Sequence, residues 1–349
     1  MGPPGGGCTF GAWSPDGRWV YLTSNAGGTN HIWRQRFPAG EPEQVTSGPT
    51  EEEGIAMAPD GRSFVTAVAL RSTSLWLHTG SEERQISLES NAVDAKFTPD
   101  GKRLLFKVVG SLGTYPLPGV LRIAELDTGR SAPLAADLRT IDYDISADGQ
   151  QVVIEAPDAV GISRLWLTRL DGRLPPRQIP DVEGKQPRFG PAGDIYFRRP
   201  EGAATFVYRI RGDGSGLQKV LDAPIALMGD VSPDGRWITG WRSVWYAFPL
   251  DGRPPAVIGI SLLFDWSSDG KWASLFGGPL PEGRSYLVPL SSGEALPRIP
   301  AEGFHTEQEI AQLPGARRVD FRTVPASSPD TYAFYRTTTQ RNLYRIPVR

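Results

Sequence analysis

The chain has 349 residues, a formal net charge of −2 at pH 7 and 39% hydrophobic residues, enough for a sizeable core. This balance offers no basic field to attract nucleic acid or an anionic membrane, and the longest apolar runs, such as 260–264, are too short to span a bilayer. The 40 glycines and 32 prolines fall at regular turns and not in low-complexity tracts, which argues against disorder.

One cysteine, Cys8, rules out an internal disulfide framework. It follows Gly5-Gly6-Gly7 with no apolar stretch ahead of it, so the sequence as it stands reads as neither a signal peptide nor a lipid-attachment site. Residues 1–7 read as a linker or loop that runs straight into a strand, and the expectation is that the natural chain begins further upstream.

A single phrase recurs along the chain. Ser14-Pro15-Asp16-Gly17 returns as Ala58-Pro59-Asp60-Gly61, Thr98-Pro99-Asp100-Gly101, Ser146-Ala147-Asp148-Gly149, Ser232-Pro233-Asp234-Gly235 and Ser267-Ser268-Asp269-Gly270. Weaker copies are Gly190-Pro191-Ala192-Gly193 and Ser328-Pro329-Asp330-Thr331, giving eight in all, mostly roughly 35 to 48 residues apart. Such a period signals stacked units such as propeller blades. Each residue has a turn role: Ser or Thr opens the turn, Pro presets φ, and Gly accepts positive φ. The Asp is therefore read as a turn former and not as a catalyst.

In chain order, each unit is expected to hold four strands. The first has 9–13, 19–23, 31–37 and 43–46; the second has 55–57, 63–70, 74–78 and 84–87. The third has 93–97, 103–109, 120–126 and 132–134, with a protruding loop at 110–119. The fourth has 143–145, 151–155, 164–170 and 177–179, and the fifth 187–189, 195–198, 206–210 and 217–220. The sixth has 229–231, 237–241, 244–249 and 256–258, and the seventh 263–266, 272–276, 285–288 and 297–299. Third strands repeat an aromatic at one place (Trp33, Trp76, Trp166, Tyr208, Tyr344), as packing between blades requires.

Between 302 and 315 the repeat is interrupted. Thr306 and Glu309 match a capping box, and Pro314-Gly315 stops the element, so a short helix over 306–313 is expected. A last unit then offers three strands, 319–324, 332–335 and 343–346, and no fourth. The fold class is an all-β propeller of about eight units, with seven blades as the alternative and the last blade incomplete. The units span about 9–47, 54–87, 93–136, 142–180, 186–221, 228–259, 263–300 and 317–349 of one domain, with 301–316 an insertion.

With the repeat laid out, the chain resembles the bacterial WD40-like, TolB-type propellers built from PD40 repeats. The stretches Ile32-Trp33-Arg34-Gln35, Thr50-Glu51-Glu52-Glu53-Gly54 and Gln340-Arg341-Asn342-Leu343-Tyr344-Arg345-Ile346 resemble a narrower group. In that group the propeller is the C-terminal, extracytoplasmic part of membrane-anchored serine/threonine kinases or winged-helix regulators. The resemblance implies a sensing propeller, periplasmic if tethered through an upstream segment.

No Gly-x-Ser-x-Gly elbow, phosphate-binding loop or kinase signature occurs in the sequence. His31, His78 and His305 lie in unrelated units without a partner at zinc-ligand spacing, and residues 211–216 form a fragment of a calcium loop better read as a turn. No metal and no cofactor is expected. Glu51, Glu52 and Glu53 form the sharpest charged cluster, in the connection between units one and two. The bland reading is a solvated loop. The sharper one is a rim for a protein, a peptide or a small ligand at the channel, with Ser90, Asn91, Arg139, Glu183, Lys185, Gln186 and Glu302 at equivalent positions. The function read from this is non-enzymatic binding. The alternative is a lyase or hydrolase using channel carboxylates, for which Asp142 and Asp144 are the candidates.

Overall fold

The computed structural model describes residues 1–110, 112, 117–259, 263–277 and 283–348. Half of the loop expected to protrude at 110–119, residues 111 and 113–116, therefore lies outside the described residues. The first strands are β1 (Cys8–Trp13), β2 (Trp19–Ser24), β3 (His31–Arg36) and β4 (Glu43–Gln44), followed by β5 (Glu51–Met57), β6 (Ser63–Thr79) and β7 (Glu82–Gln85). Three sheets follow: β8 (Ala92–Phe97), β9 (Arg103–Val109), β10 (Gly119–Glu125) and β11 (Ser131–Pro133); β12 (Asp142–Ile145), β13 (Gln151–Pro157), β14 (Ser163–Arg169) and β15 (Arg177–Glu183); β16 (Lys185–Phe189), β17 (Ile195–Glu201), β18 (Ala204–Ile210) and β19 (Gln218–Lys219). Two more are β20 (Leu227–Val231), β21 (Trp237–Trp241), β22 (Trp245–Pro249) and β23 (Ala256–Gly259), then β24 (Leu263–Trp266), β25 (Trp272–Gly277), β26 (Arg284–Pro289) and β27 (Arg317–Val319). Helix α1 (Glu307–Ala311) precedes β27, and β28 (Thr323–Pro325) and β29 (Thr331–Pro347) end the chain.

The recurring phrase builds the β1–β2 type of hairpin wherever it occurs. In the first copy the Asp16 carboxylate accepts from the Ser14 hydroxyl at 2.6 Å and from the Arg18 amide at 3.1 Å, while Gly17 sits at φ 69°. Thr98–Asp100, Ser146–Asp148, Ser232–Asp234 and Ser267–Asp269 repeat the hydroxyl-to-carboxylate bond at 2.5 to 2.8 Å. These aspartates are turn formers.

The chain divides into two compact units. The first comprises Met1–Thr73, Val109–Leu117 and Thr337–Arg349. Its β1–β4 sheet packs on β5, and β5 pairs with the first part of β6 in the register Glu51↔Ala69 to Met57↔Phe64. Tyr21, Ile32 and Phe64 form its buried centre. Burial of each such side chain contributes about 1.5–3 kcal/mol.

The second unit comprises Ser74–Val108 and Pro118–Arg336 and holds six four-stranded sheets. Five are β8–β11, β12–β15, β16–β19, β20–β23 and β24–β27. The sixth joins both ends of the unit: β28, the first part of β29, the last part of β6, and β7. Joining them in one sheet removes the open edges that would invite aggregation.

Three expectations change here. Among the described residues there are seven sheets, the alternative to the eight units expected first, because strands expected in the last unit pair with those of the second and complete its sheet. The strands expected at 63–70 and 74–78 are one continuous strand, β6. The seventh sheet takes its fourth strand from Arg317–Val319, beyond the helix, and not from 297–299. The helix itself carries the expected capping box between Thr306 and Glu309. Among the described residues, no helix is long and apolar enough to cross a membrane.

Candidate functional site: the axial charge cluster

The first strand of each sheet in the second unit is its innermost. β12 packs on β16, β16 on β20, β20 on β24, β24 on β28 and β28 on β8. Tyr143 completes the ring from β12 to β8, its hydroxyl shared between the carbonyls of Asp94 and Leu105. Side chains that these strands turn inward meet on one axis.

The inward position is the residue two before the turn's opening residue. It is Lys96 on β8, Asp144 on β12, Arg188 on β16, Asp230 on β20 and Asp265 on β24. Bulges between Val93 and Lys96, Lys185 and Arg188, and Met228 and Val231 shift the register just before it, with Asp94 and Gln186 each at φ 50°. Bulges of this kind re-aim side chains. Asp94 lies within one of them, and Asp142, on the regular strand β12, meets the cluster through Arg188.

One side of the cluster is fully paired. Lys96 Nζ lies 2.7 Å from Asp144 Oδ1 and 2.9 Å from Asp230 Oδ1. β20 stands three sheets from β8 in a ring of six, so Lys96 reaches across the axis. Arg188 holds Asp142 through two nitrogens, at 2.9 and 3.3 Å, and places Nε 2.8 Å from Asp230. Lys107, fully buried, pairs with Asp94 at 3.0 Å.

These pairs set the charge states. Burial opposes ionisation of Asp230, but Lys96 and Arg188 outweigh it and hold the carboxyl below its usual range. Asp94 is held down in the same way, chiefly by Lys107 and then Arg322. Burial also works against the charges of Lys96 and Arg188, yet their carboxylate partners hold both protonated beyond the ordinary range.

The other side is open. Asp265 and Arg322, the residue before β28, make no hydrogen bond or ion pair among the described residues. Burial, with Asp230 beside it, pushes the Asp265 carboxyl up to about 6. The guanidinium of Arg322 lies 5.8 Å from the ring centre of Tyr335. Tyr335 accepts from the Ala95 amide at 2.6 Å, which leaves its own hydroxyl hydrogen available to donate.

The residues expected at a rim are distributed between the units. Glu51, Glu52 and Glu53 lie in the first unit, within β5 and not in a loop. Glu52 is buried and accepts from Thr46 at 2.6 Å and Thr50 at 2.8 Å, with His31 Nδ1 at 2.8 Å. Glu51 faces Arg71 at 3.8 Å, and Glu53 pairs with Arg341 at 2.9 Å.

Asn91, Arg139, Glu183 and Lys185 lie where the second unit's chain passes from a fourth strand to the next innermost strand, an equivalent place in each sheet. Ser90 and Arg139 are exposed there, as is Lys185, and Glu302 is exposed in the segment before α1. Gln186 is buried and ties sheets together: its amide donates to Glu155 at 2.8 Å, and its side-chain oxygen accepts from Arg198 and Met228, each at 2.8 Å.

Asp142 and Asp144, the channel carboxylates singled out from the sequence, do reach the axis. Lys96, Arg188, Asp230, Asp265 and Arg322 were missed. For all but Arg322 the signal was present as a charge repeating two residues before the turn in five consecutive copies, where the first two copies have Ala12 and Ala56; Arg322 lies outside that pattern. Among the described residues, no three His, Cys, Asp or Glu side chains are placed to hold a metal ion.

Six closed antiparallel sheets about a charged axis make the second unit a β-propeller. No protein family matches the chain, and no curated protein matches it. Among solved structures it is similar to TolB from Acinetobacter baumannii, with 13% identity, a TM-score of 0.49, and coverage of 81% of this chain and 76% of that one. A putative TolB from Agrobacterium tumefaciens shows 20% identity and a TM-score of 0.39 over 70% of this chain and 91% of that one. An oligogalacturonate lyase in complex with manganese shows 13% identity and a TM-score of 0.41 over 83% and 92%.

Proposed function

We propose that the chain is a ligand- or protein-binding propeller that performs no chemistry, and that it forms the sensory portion of a bacterial envelope signalling protein. The observation that carries the binding reading is the less paired side of the axial cluster, where Asp265 and Arg322 make no hydrogen bond or ion pair among the described residues, beside carboxylates already held by Lys96 and Arg188. Asp142, Asp144 and Asp230 are already engaged by Lys96 and Arg188, which supports a role in position and not in turnover. The exposed Ser90, Arg139 and Lys185, with the half-buried Asn91 and Glu183 and the buried Gln186, form the rim through which a peptide or protein is recognised. The resemblance of residues 32–35, 50–54 and 340–346 to extracytoplasmic sensor propellers supports the signalling role and a periplasmic location.

A thermal-shift screen of soluble metabolites and peptides tests this reading, run beside turnover assays on lyase and hydrolase substrates. A compound that raises Tm by several degrees in the native chain but not in Arg322→Gln, with no turnover, is the expected result. The weakened acidity of Asp265 is the one feature that favours an enzyme. Turnover that disappears in Asp265→Asn would replace the binding reading with that one.

A further inference from the structure

We propose that the open side of the axial cluster binds a small zwitterion, with the ligand carboxylate on Arg322 and Tyr335 and its ammonium on Asp265. This rests on the ligand-binding reading above and names the chemistry of the ligand.

The argument is one of complementarity. Arg322 offers a planar fork of donors suited to a carboxylate, and the Tyr335 hydroxyl adds another donor beside it. Asp265 offers acceptors, and its neighbour Asp230 adds negative potential on the same side. Asp265 and Arg322 do not pair with each other, so a ligand carrying both charges on separate atoms satisfies both at once.

Ligands of a single charge fit less well. A bare carboxylate at Arg322 would face Asp94 as well as Asp265, both of which act electrostatically on that guanidinium. A bare ammonium at Asp265 would leave the Arg322 guanidinium without a ligand anion. On the paired side Lys96 and Arg188 already hold Asp142, Asp144 and Asp230.

The separation of the two charges in the ligand is set by titrating glycine, β-alanine and 4-aminobutanoate into the native chain by calorimetry. Acetate and methylammonium serve as single-charge probes. One of the three zwitterions is expected to bind at least tenfold more tightly than either probe, and Arg322→Gln and Asp265→Asn each to weaken it at least tenfold. Arg322→Lys, which keeps the charge but loses the fork, should recover part of the affinity.

A second readout needs no variant. At pH 6 an ammonium docking on Asp265 favours its ionised form, so binding releases protons, seen as heat that depends on the buffer; Asp230, Arg322, Lys96 and Arg188 are the other charges facing this group. Proton uptake, equal binding of acetate or methylammonium, or no binding of any zwitterion would overturn the proposal. If none binds while another compound still gives Arg322-dependent stabilisation, the binding reading stands and only the zwitterion is lost. If no Arg322-dependent ligand exists, both fall.

Discussion

The two units carry the same hairpin and use charge differently. In the first, the position two before the turn is Ala12 or Ala56, and the acidic residues of β5 are spent on fixing its own strands. Glu52 joins β5 to β3 through His31 and to the Thr46 and Thr50 hydroxyls, and Glu53 holds Arg341 on β29. In the second unit the same position is charged in five consecutive sheets, and closure of the ring forces those charges together. A charge at that position turns a structural repeat into a site only where enough sheets close around an axis.

That contrast can be broken in three places. The largest effect is expected from Arg188→Met. It removes the guanidinium from Asp142 and one of the two cations from Asp230 in a half-buried cluster. Removing one member of such a pair costs about 3–5 kcal/mol, so the urea midpoint of the second unit should fall sharply. A loss below about 1 kcal/mol would mean that water, and not Arg188, solvates these carboxylates.

Glu52→Ala comes next, at about 2–3 kcal/mol, because three buried or half-buried donors lose one shared acceptor. Hydrogen exchange should show protection lost in β3 and β5 and kept in β12 and β16. Loss in the innermost strands of the second unit would show that Glu52 does more than fix its own sheets.

The smallest effect has the opposite sign. The Asp265 carboxyl sits at about 6 in the folded chain against 3.8 as its ordinary value. The folded form therefore holds this proton more tightly, and ionisation weakens folding in full above pH 6. The penalty is released as pH falls from 6 towards 3.8. Asp265→Asn should stabilise the chain by about 1–2 kcal/mol at pH 8, reduced from the full shift because the group is only half-buried. The gain should fade by pH 4, as urea unfolding across that range will show. A gain independent of pH would assign the effect to something other than this proton. Asp94 and Asp230, held low by their cations, act the other way, and their contributions are lost as pH drops through and below the ordinary carboxylate range.

The sequence by itself determined the repeat, the hairpins and the short helix, because these rest on contacts within a few residues. Ser14, Asp16 and Gly17 need only each other to make their turn, and Thr306 needs only Glu309. It named Asp142 and Asp144 only as candidate acids of the enzymatic alternative. The number of sheets was decided by pairing across most of the chain: Ser74 bonds to the carbonyl of Arg336, and no local pattern says that these strands share a sheet. The axial cluster was decided in the same way. Lys96 and Asp230 are 134 residues apart, and only closure of six twisted sheets into a ring brings an ammonium from one side within reach of a carboxylate on the other.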